Sequence, residues 1–220
     1  MARLKTAVLI SGRGSNMQAL VAECSSKQAP AEIVMVLSNV ADAAGLQFAE
    51  NAGIATMVID HRPFPDRNSF ELEITARLEA ANVELVCLAG FMRLLTAGFV
   101  DRWRDRLINI HPSLLPAFKG LDTHARVIAE GARFTGCTVH FVRSEMDAGP
   151  IILQAAVPVS LDDDAESLAG KVLAAEHQIY PQALRMIAEG RVKVIDELVS
   201  IEGARTAGKT LINPLSGDSG

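Results

Sequence analysis

Leu107-Ile108-Asn109-Ile110-His111-Pro112-Ser113-Leu114-Leu115-Pro116 begins as a strand and ends in a turn. Leu107, Ile108 and Ile110 are residues that a pleated, buried surface selects. Asn109 and His111 lie two apart, so on a strand they share one face. Pro112 has no N–H to give and ends the ladder. An amide donor and an imidazole therefore stand side by side at the carboxyl end of a strand, the edge where open α/β sheets bind ligands. An amide N–H can stabilise a developing oxyanion, and histidine is the side chain that ordinarily titrates near neutrality. Taken alone, the same stretch also describes a polar strand end with a solvated histidine, so the flanking sequence has to decide.

Upstream, Thr6–Ile10 reads as a buried strand, followed by Ser11-Gly12-Arg13-Gly14-Ser15-Asn16 and a helical pattern through Ala22. Strand, glycine loop and helix start make a phosphate cradle, because glycines admit an anion close to the backbone and the first helical N–H groups have no internal partner. The other reading is a glycine turn that only links two elements. A dinucleotide fingerprint is incomplete: Met17 stands at the third glycine position, and the next strand, Ile33–Leu37, ends in Ser38-Asn39 rather than an acid. A smaller phosphorylated ligand is expected, and NAD is not. Ala43–Ala52 reads as a helix closed by Gly53, Thr56–Ile59 as a strand, and Asp66 or Asn68 as the start of a helix through Ala81. Leu85–Ala89 is a fourth buried strand, delivering Gly90-Phe91-Met92-Arg93-Leu94-Leu95. That apolar turn either packs under a helix or lines a slot for a flat aromatic ligand, with Arg93 nearby. Thr96 can cap a helix through Arg104.

Downstream, Phe118 to His124 is a loop, leading to a helix capped near Asp122 and ended by Gly131. Thr138–Val142 and Ile151–Val157 read as strands joined by the loop Arg143 to Pro150, able to pair as a hairpin. The predicted fold is α/β: a doubly wound, mostly parallel sheet with helices on both faces and an antiparallel C-terminal section. Asp162-Asp163-Asp164 marks the start of a long helix, with Asp163 and Glu166 at capping-box spacing; no further ligand follows at a spacing that would make it a metal site. Leu168, Val172, Ala175 and Ile179 form its inward stripe, and Glu176 sits oddly at the stripe's edge. Pro181 should kink or restart this helix, which continues to Gly190, and Val192–Ile201 can add strands. Gly203-Ala204-Arg205-Thr206-Ala207-Gly208-Lys209-Thr210 matches the P-loop pattern literally but lacks the long helix a P-loop needs, so 203–220 is expected to be an exposed, partly disordered tail.

Residues 1–202 are expected to form one domain, with a phosphate-binding half to about 106 and a catalytic half from 107. Half the residues are hydrophobic (49%), aromatics are few (5%), and the formal charge is -5, which argues against a nucleic-acid footprint. Cys24, Cys87 and Cys137 are odd in number and widely spaced, so neither a disulfide framework nor a zinc site is expected. No signal peptide is read at the start, and no apolar run is long enough for a membrane span; a cytoplasmic protein is expected.

These motifs together resemble the folate-dependent phosphoribosylglycinamide formyltransferases of purine biosynthesis, from about Lys5 to Ile201. The resemblance rests on Ile10 to Asn16, Leu88 to Arg93, Asn109 to Pro116, Val139 to Val142, Asp147-Ala148-Gly149-Pro150 and Glu176 to Pro181, in that order. It implies transfer of a formyl group from 10-formyltetrahydrofolate, as co-substrate, to the glycyl amine of N1-(5-phosphoribosyl)glycinamide. On that footing Asn109 and His111 stabilise the oxyanion, and Asp147 pairs with His111 and assists proton transfer. Gly14, Ser15 and Asn16 hold the substrate phosphate, and Glu176 accepts from the ribose hydroxyls. Met92, Arg93, Leu94 and Leu95, with Asn109 and the loop Arg143, Ser144, Glu145, Met146 and Asp147, hold the pterin. Arg67 meets the glutamate end of the folate, or is a solvated helix arginine. Asp147 read without the resemblance is a turn residue, and Ala117-Phe118-Lys119 carries no expected role. A monomer or homodimer with small-molecule partners, no nucleic acid and no metal is implied. The alternatives are another formyltetrahydrofolate-dependent transferase or hydrolase of the same fold, or a non-catalytic folate- or nucleotide-binding module.

Overall fold

Alternation of apolar residues along the first strand already requires two cores. β1 (Leu4–Ile10) sends Val8 and Ile10 to one face and Ala7 and Leu9 to the other, all four fully buried. The computed structural model describes residues 2–208 and 210–214. β1 is flanked in parallel by β2 (Ala31–Ser38) and β4 (Leu85–Leu88). Outside these lie β3 (Ala55–Val58), parallel to β2, and β5 (Leu107–His111), parallel to β4. β6 (Phe134–Phe141) and β7 (Ile151–Pro158) then continue the sheet antiparallel, giving the order β3-β2-β1-β4-β5-β6-β7.

One face is covered by α1 (Ser15–Cys24), α2 (Ala44–Asn51), α5 (Thr123–Ala129) and α6 (Ala165–Ala188), through residues such as Met17, Leu20, Leu46, Val127, Leu168 and Val172. The other is covered by α3 (Arg67–Ala80) and α4 (Ala97–Arg102), through Phe70, Ile74, Leu78, Phe99 and Val100. This is the expected doubly wound sheet with its antiparallel section. The chain runs outward from β1 to β3 and returns beside β1 as β4, so the strand order reverses between β1 and β4, where open sheets bind ligands. The two loops at that point are tied together: Ser11 N–H donates to the Gly90 carbonyl at 3.1 Å, and Met92 N–H donates to Ser11 Oγ at 2.8 Å.

Several local expectations change. β6 starts at Phe134, four residues before the expected Thr138, because its pairing with β7 begins with Phe134 opposite Pro158; at Gly136 a Cβ would lie 1.8 Å from the Ala155 carbonyl oxygen. A glycine therefore fits there although it favours no strand. The cap of α6 is Asp164 with Ser167, not Asp163 with Glu166. Asp163 instead accepts from Ser160 N–H at 2.8 Å and from Lys171 Nζ at 2.7 Å. Asp122 precedes α5 in the left-handed conformation (φ 54°) with no side-chain cap, since capping by the side chain needs extended backbone. Helix α3 is capped by Asp66, which accepts from Ser69 N–H at 2.7 Å. Pro181 is accommodated inside α6 without ending it. Residues Val192–Ile195 and Leu198–Ile201 form β8 and β9, a separate two-stranded hairpin outside the main sheet. Of the P-loop look-alike, Lys209 lies outside the described residues, and no helix follows among the described residues of the tail. Asn213 Nδ2 donates to the Val159 carbonyl at 2.9 Å. Among the described residues no helix is long and apolar enough to cross a membrane.

The sheet is pinned beneath the candidate site by Tyr180 of α6. Its buried hydroxyl donates to the Leu88 carbonyl at 2.9 Å, with the Ile108 carbonyl at 3.3 Å. Tyr180→Phe leaves those carbonyls without this donor. It is expected to cost about 1 kcal/mol, roughly 2–4 °C in Tm for a chain of this size, measured by thermal unfolding.

Candidate active site

Pairing of β5 with β6 sets Asn109 opposite His140 and His111 opposite Thr138. The His140 Nδ1–H donates to the Phe141 carbonyl at 3.0 Å, which leaves Nε2 as an acceptor. Burial holds the His140 pKa below the ordinary imidazole value, ahead of the opposing Phe141 hydrogen bond and Asp147 charge, so the ring is neutral. Asn109 Nδ2 donates one hydrogen to that Nε2 at 3.3 Å and keeps its second hydrogen free.

His111 is held from both sides. Its Nε2 donates to the Phe118 carbonyl at 2.9 Å, and its Nδ1 lies 3.5 Å from Asp147 Oδ2. A carbonyl at one ring nitrogen and a carboxylate near the other fix the orientation of the ring. Asp147 Oδ2 also accepts from Gly120 N–H at 2.9 Å, and its Oδ1 is 4.0 Å from His140 Nε2. The two side chains are nearly shut off from solvent, at 7% and 11% exposure. Asp147 itself sits at φ 52°, a conformation that costs a non-glycine residue and persists where surrounding contacts impose it.

Closer to β1, Gly14 takes φ 69° at the entrance to α1 and no side chain caps the helix. The first N–H groups of α1 therefore have no side-chain cap, an arrangement that suits an anion. A Cβ on Gly14 would lie 2.9 Å from Met17 Cε and 3.2 Å from Gly45 Cα, so the turn is closed by contact as well as by φ. Asn16 Nδ2 donates to Glu176 Oε2 at 2.6 Å, joining α1 to α6, while Asn16 Oδ1 is buried with no partner. Burial raises the Glu176 carboxyl pKa and the Asn16 hydrogen bond pulls it back. An acceptor pair of this kind, inside the fold and beside an anion cradle, suits a ligand carrying hydroxyls next to a phosphate.

The turn after β4 leaves Met92 and Leu94 exposed, at 67% and 63%, while Leu95 packs against the second core and Arg93 is half-buried. Leu121 and Met146 are likewise exposed, and Lys119 Nζ donates to Glu145 at 2.9 Å. Arg67 stands exposed at the first turn of α3. Ser144 is exposed in the loop after β6. The Arg143 side chain is bonded to Asp105 and Glu197. Whatever it offers a ligand comes from its backbone.

The structure thus gathers Asn109, His111 and Asp147, and separately Asn16 with Glu176. Sequence reasoning missed His140 and the Phe118 carbonyl. His140 lies two residues after Thr138, but its place opposite Asn109 depends on a strand register that no local pattern encodes. Among the described residues no three His, Cys, Asp or Glu side chains cluster as metal ligands.

The family described as formyl transferase matches residues 4–184. A phosphoribosylglycinamide formyltransferase of Escherichia coli is 41% identical over 198 residues, covering 90% of this chain and 93% of its own. A trifunctional purine biosynthetic protein of Gallus gallus is 50% identical over 87% of this chain; the match spans only 19% of that longer protein. Among solved structures, a glycinamide ribonucleotide transformylase of Symbiobacterium toebii superposes with a TM-score of 0.88 at 45% identity, over 90% of this chain and 94% of its own.

Proposed function

The chain belongs to the formyl transferase family, and on that premise we propose that it transfers the formyl group of 10-formyltetrahydrofolate to the amine of N1-(5-phosphoribosyl)glycinamide. The observation that carries this reading is the Asn109, His111 and Asp147 arrangement on the same sheet edge as the α1 anion cradle. A bound phosphate at Gly14, Ser15 and Asn16, with ribose hydroxyls at Glu176, brings a phosphorylated acceptor to the site. Met92, Leu94, Leu95 and Met146 give a flat heterocycle an apolar rim, with the backbone of Arg143 to Asp147 on one side. Arg67 and Arg93 supply positive charge toward an acidic tail.

In the reaction the acceptor amine attacks the formyl carbon and negative charge collects on its oxygen. The free hydrogen of Asn109 Nδ2 donates to that oxygen. His111 contributes through its positive charge, since its Nε2–H is committed to the Phe118 carbonyl. Asp147, directly or through a water it holds, takes the proton released by the amine and returns one to the folate nitrogen as the C–N bond to formyl breaks. Residues 1–202 act as one catalytic unit, since a single sheet carries both the cradle and the catalytic strand. Three buried free thiols, Cys24, Cys87 and Cys137, agree with a reducing cytoplasm.

The test is a formyl-transfer assay read by the folate absorbance. Turnover that depends on the glycinamide ribonucleotide is expected. Turnover without acceptor would mean a hydrolase, and tight folate binding without turnover would mean a binding module.

Glu176→Gln separates binding from stability. The folded pKa of Glu176 is raised above the ordinary 4.5, so its ionised form disfavours folding. That penalty is absent below about pH 4 and fully present once the pH exceeds the folded pKa. The variant is therefore expected to match wild type in Tm at acid pH and to equal or exceed it near neutrality. Loss of the charged acceptor raises the acceptor KM by about tenfold. A lower Tm at neutral pH, or an unchanged KM, would contradict this.

A further inference from the structure

We propose that Arg143 is a positioning residue, holding the loop that carries Asp147 by clamping it to the β8–β9 hairpin and to the turn before β5. The inference rests on the formyl-transfer reading of the site.

Arg143 opens the loop 142–150 between β6 and β7, in a stretch whose neighbours Ser144, Glu145 and Met146 are exposed, yet its side chain is only 10% exposed. Its Nε donates to Glu197 Oε2 at 2.5 Å, its Nη2 to Asp105 Oδ1 at 2.7 Å and its Nη1 to the Val142 carbonyl at 3.1 Å. Burial by itself pulls the Arg143 pKa down, and the bonds to Glu197 and Asp105 outweigh it, so the net shift is upward. Arg104 also donates to Glu197, which makes the cluster a network of two cations and two carboxylates.

Each anchor sits on a sharp turn. Asp105 (φ 56°) lies two residues before β5, the strand bearing Asn109 and His111. Glu197 (φ 60°) is in the turn of the β8–β9 hairpin. An isolated two-stranded hairpin is marginal in water, so ties to the rest of the fold have to hold it. The return limb of the loop leans on the same arginine: a Cβ on Gly149 would lie 3.3 Å from Arg143 Cγ. Asp147 is two residues before Gly149. The arginine stem thus backs the limb that presents the carboxylate to His111, while its head is bonded to the turn that leads into the His111 strand. One guanidinium fixes the two catalytic elements relative to each other. A lysine could not do so, because one ammonium lacks the planar fork that meets two carboxylates in different directions.

The test uses the full chain as wild type, Arg143→Ala, Glu197→Gln and the double variant, with kcat and both KM values measured in the formyl-transfer assay. Arg143→Ala is expected to lower kcat/KM for 10-formyltetrahydrofolate by about tenfold, the scale of a small misplacement. The acceptor KM should stay within about twofold, because the cradle is at the other end of the site. Glu197→Gln gives a smaller loss of the same kind, and the double variant is no worse than Arg143→Ala, the non-additivity of residues in one network. A merely structural role would lower Tm and the active fraction without splitting the two KM values. Wild-type kinetics in folded Arg143→Ala, equal rises in both KM values, or additive losses would overturn the proposal. If Arg143→Ala does not fold, Glu197→Gln alone must show the split, and its absence overturns the proposal equally. Lack of wild-type turnover would instead sink the formyl-transfer reading, and it is seen before any variant is compared.

Discussion

Asn109→Ala is expected to lower kcat by roughly 10²–10³-fold, the cost of removing one preorganised donor from an oxyanion site. The amide is preorganised because the neutral His140 ring accepts one of its hydrogens at 3.3 Å and thereby aims the other. The donor meets full negative charge only in the transition state. The loss should therefore appear in kcat, with both KM values changed by no more than about threefold. Asn109 is half-buried on a strand between Leu88 of β4 and His140 of β6, and the Ala variant should remain folded. Single-turnover kinetics beside thermal unfolding checks both points. A folded variant with wild-type kcat would remove Asn109 from the mechanism.

Gly149→Ala is the second large effect expected, and it strikes stability first. Its Cβ would lie 1.6 Å from the Phe141 carbonyl oxygen and 2.7 Å from the carbonyl carbon, so backbone has to move rather than a side-chain tip. That carbonyl is also the acceptor for His140 Nδ1, and Phe141 N–H donates to the Pro150 carbonyl at 2.9 Å. Forcing the loop away from β6 disturbs the His140 tautomer and the placement of Asp147 together. A loss of about 3 kcal/mol is expected, roughly 6–12 °C in Tm, with a kcat decrease in whatever folds. A variant with wild-type Tm and activity would mean the loop can re-seat freely, which would also weaken the case for Arg143 as its clamp.

Much of this site was legible because its parts are local. The glycine turn before α1 announces itself through Gly12 and Gly14 followed at once by a helical pattern. Asn109 and His111 share a face through strand period alone, and Glu176 betrayed itself as an acid at the edge of an apolar stripe. Where the reading failed, a neighbour distant in sequence decided the matter. Asp163 looked like a cap until Lys171 and Ser160 claimed its carboxylate, leaving the cap to Asp164. β6 was read from Thr138, whereas it begins at Phe134 and runs through Gly136, where the close approach of β7 leaves no room for a side chain. The side chain of Arg143 is held by Asp105 and Glu197, 38 and 54 residues away, partners that no local pattern names.

The amino-acid sequence by itself determined the alternation of strand and helix, the side-by-side amide and imidazole at a strand's carboxyl end, and the glycine turn into a helix start. These follow from side-chain period, proline and glycine, which act over a few residues. Tertiary structure alone decided that His140 aims Asn109, that the Phe118 carbonyl and Asp147 grip the two nitrogens of His111, and that Asn16 meets Glu176 across 160 residues. The physical reason is that strand register and side-chain direction are settled by packing and by satisfying buried polar groups. Those conditions exist only once distant segments have come together.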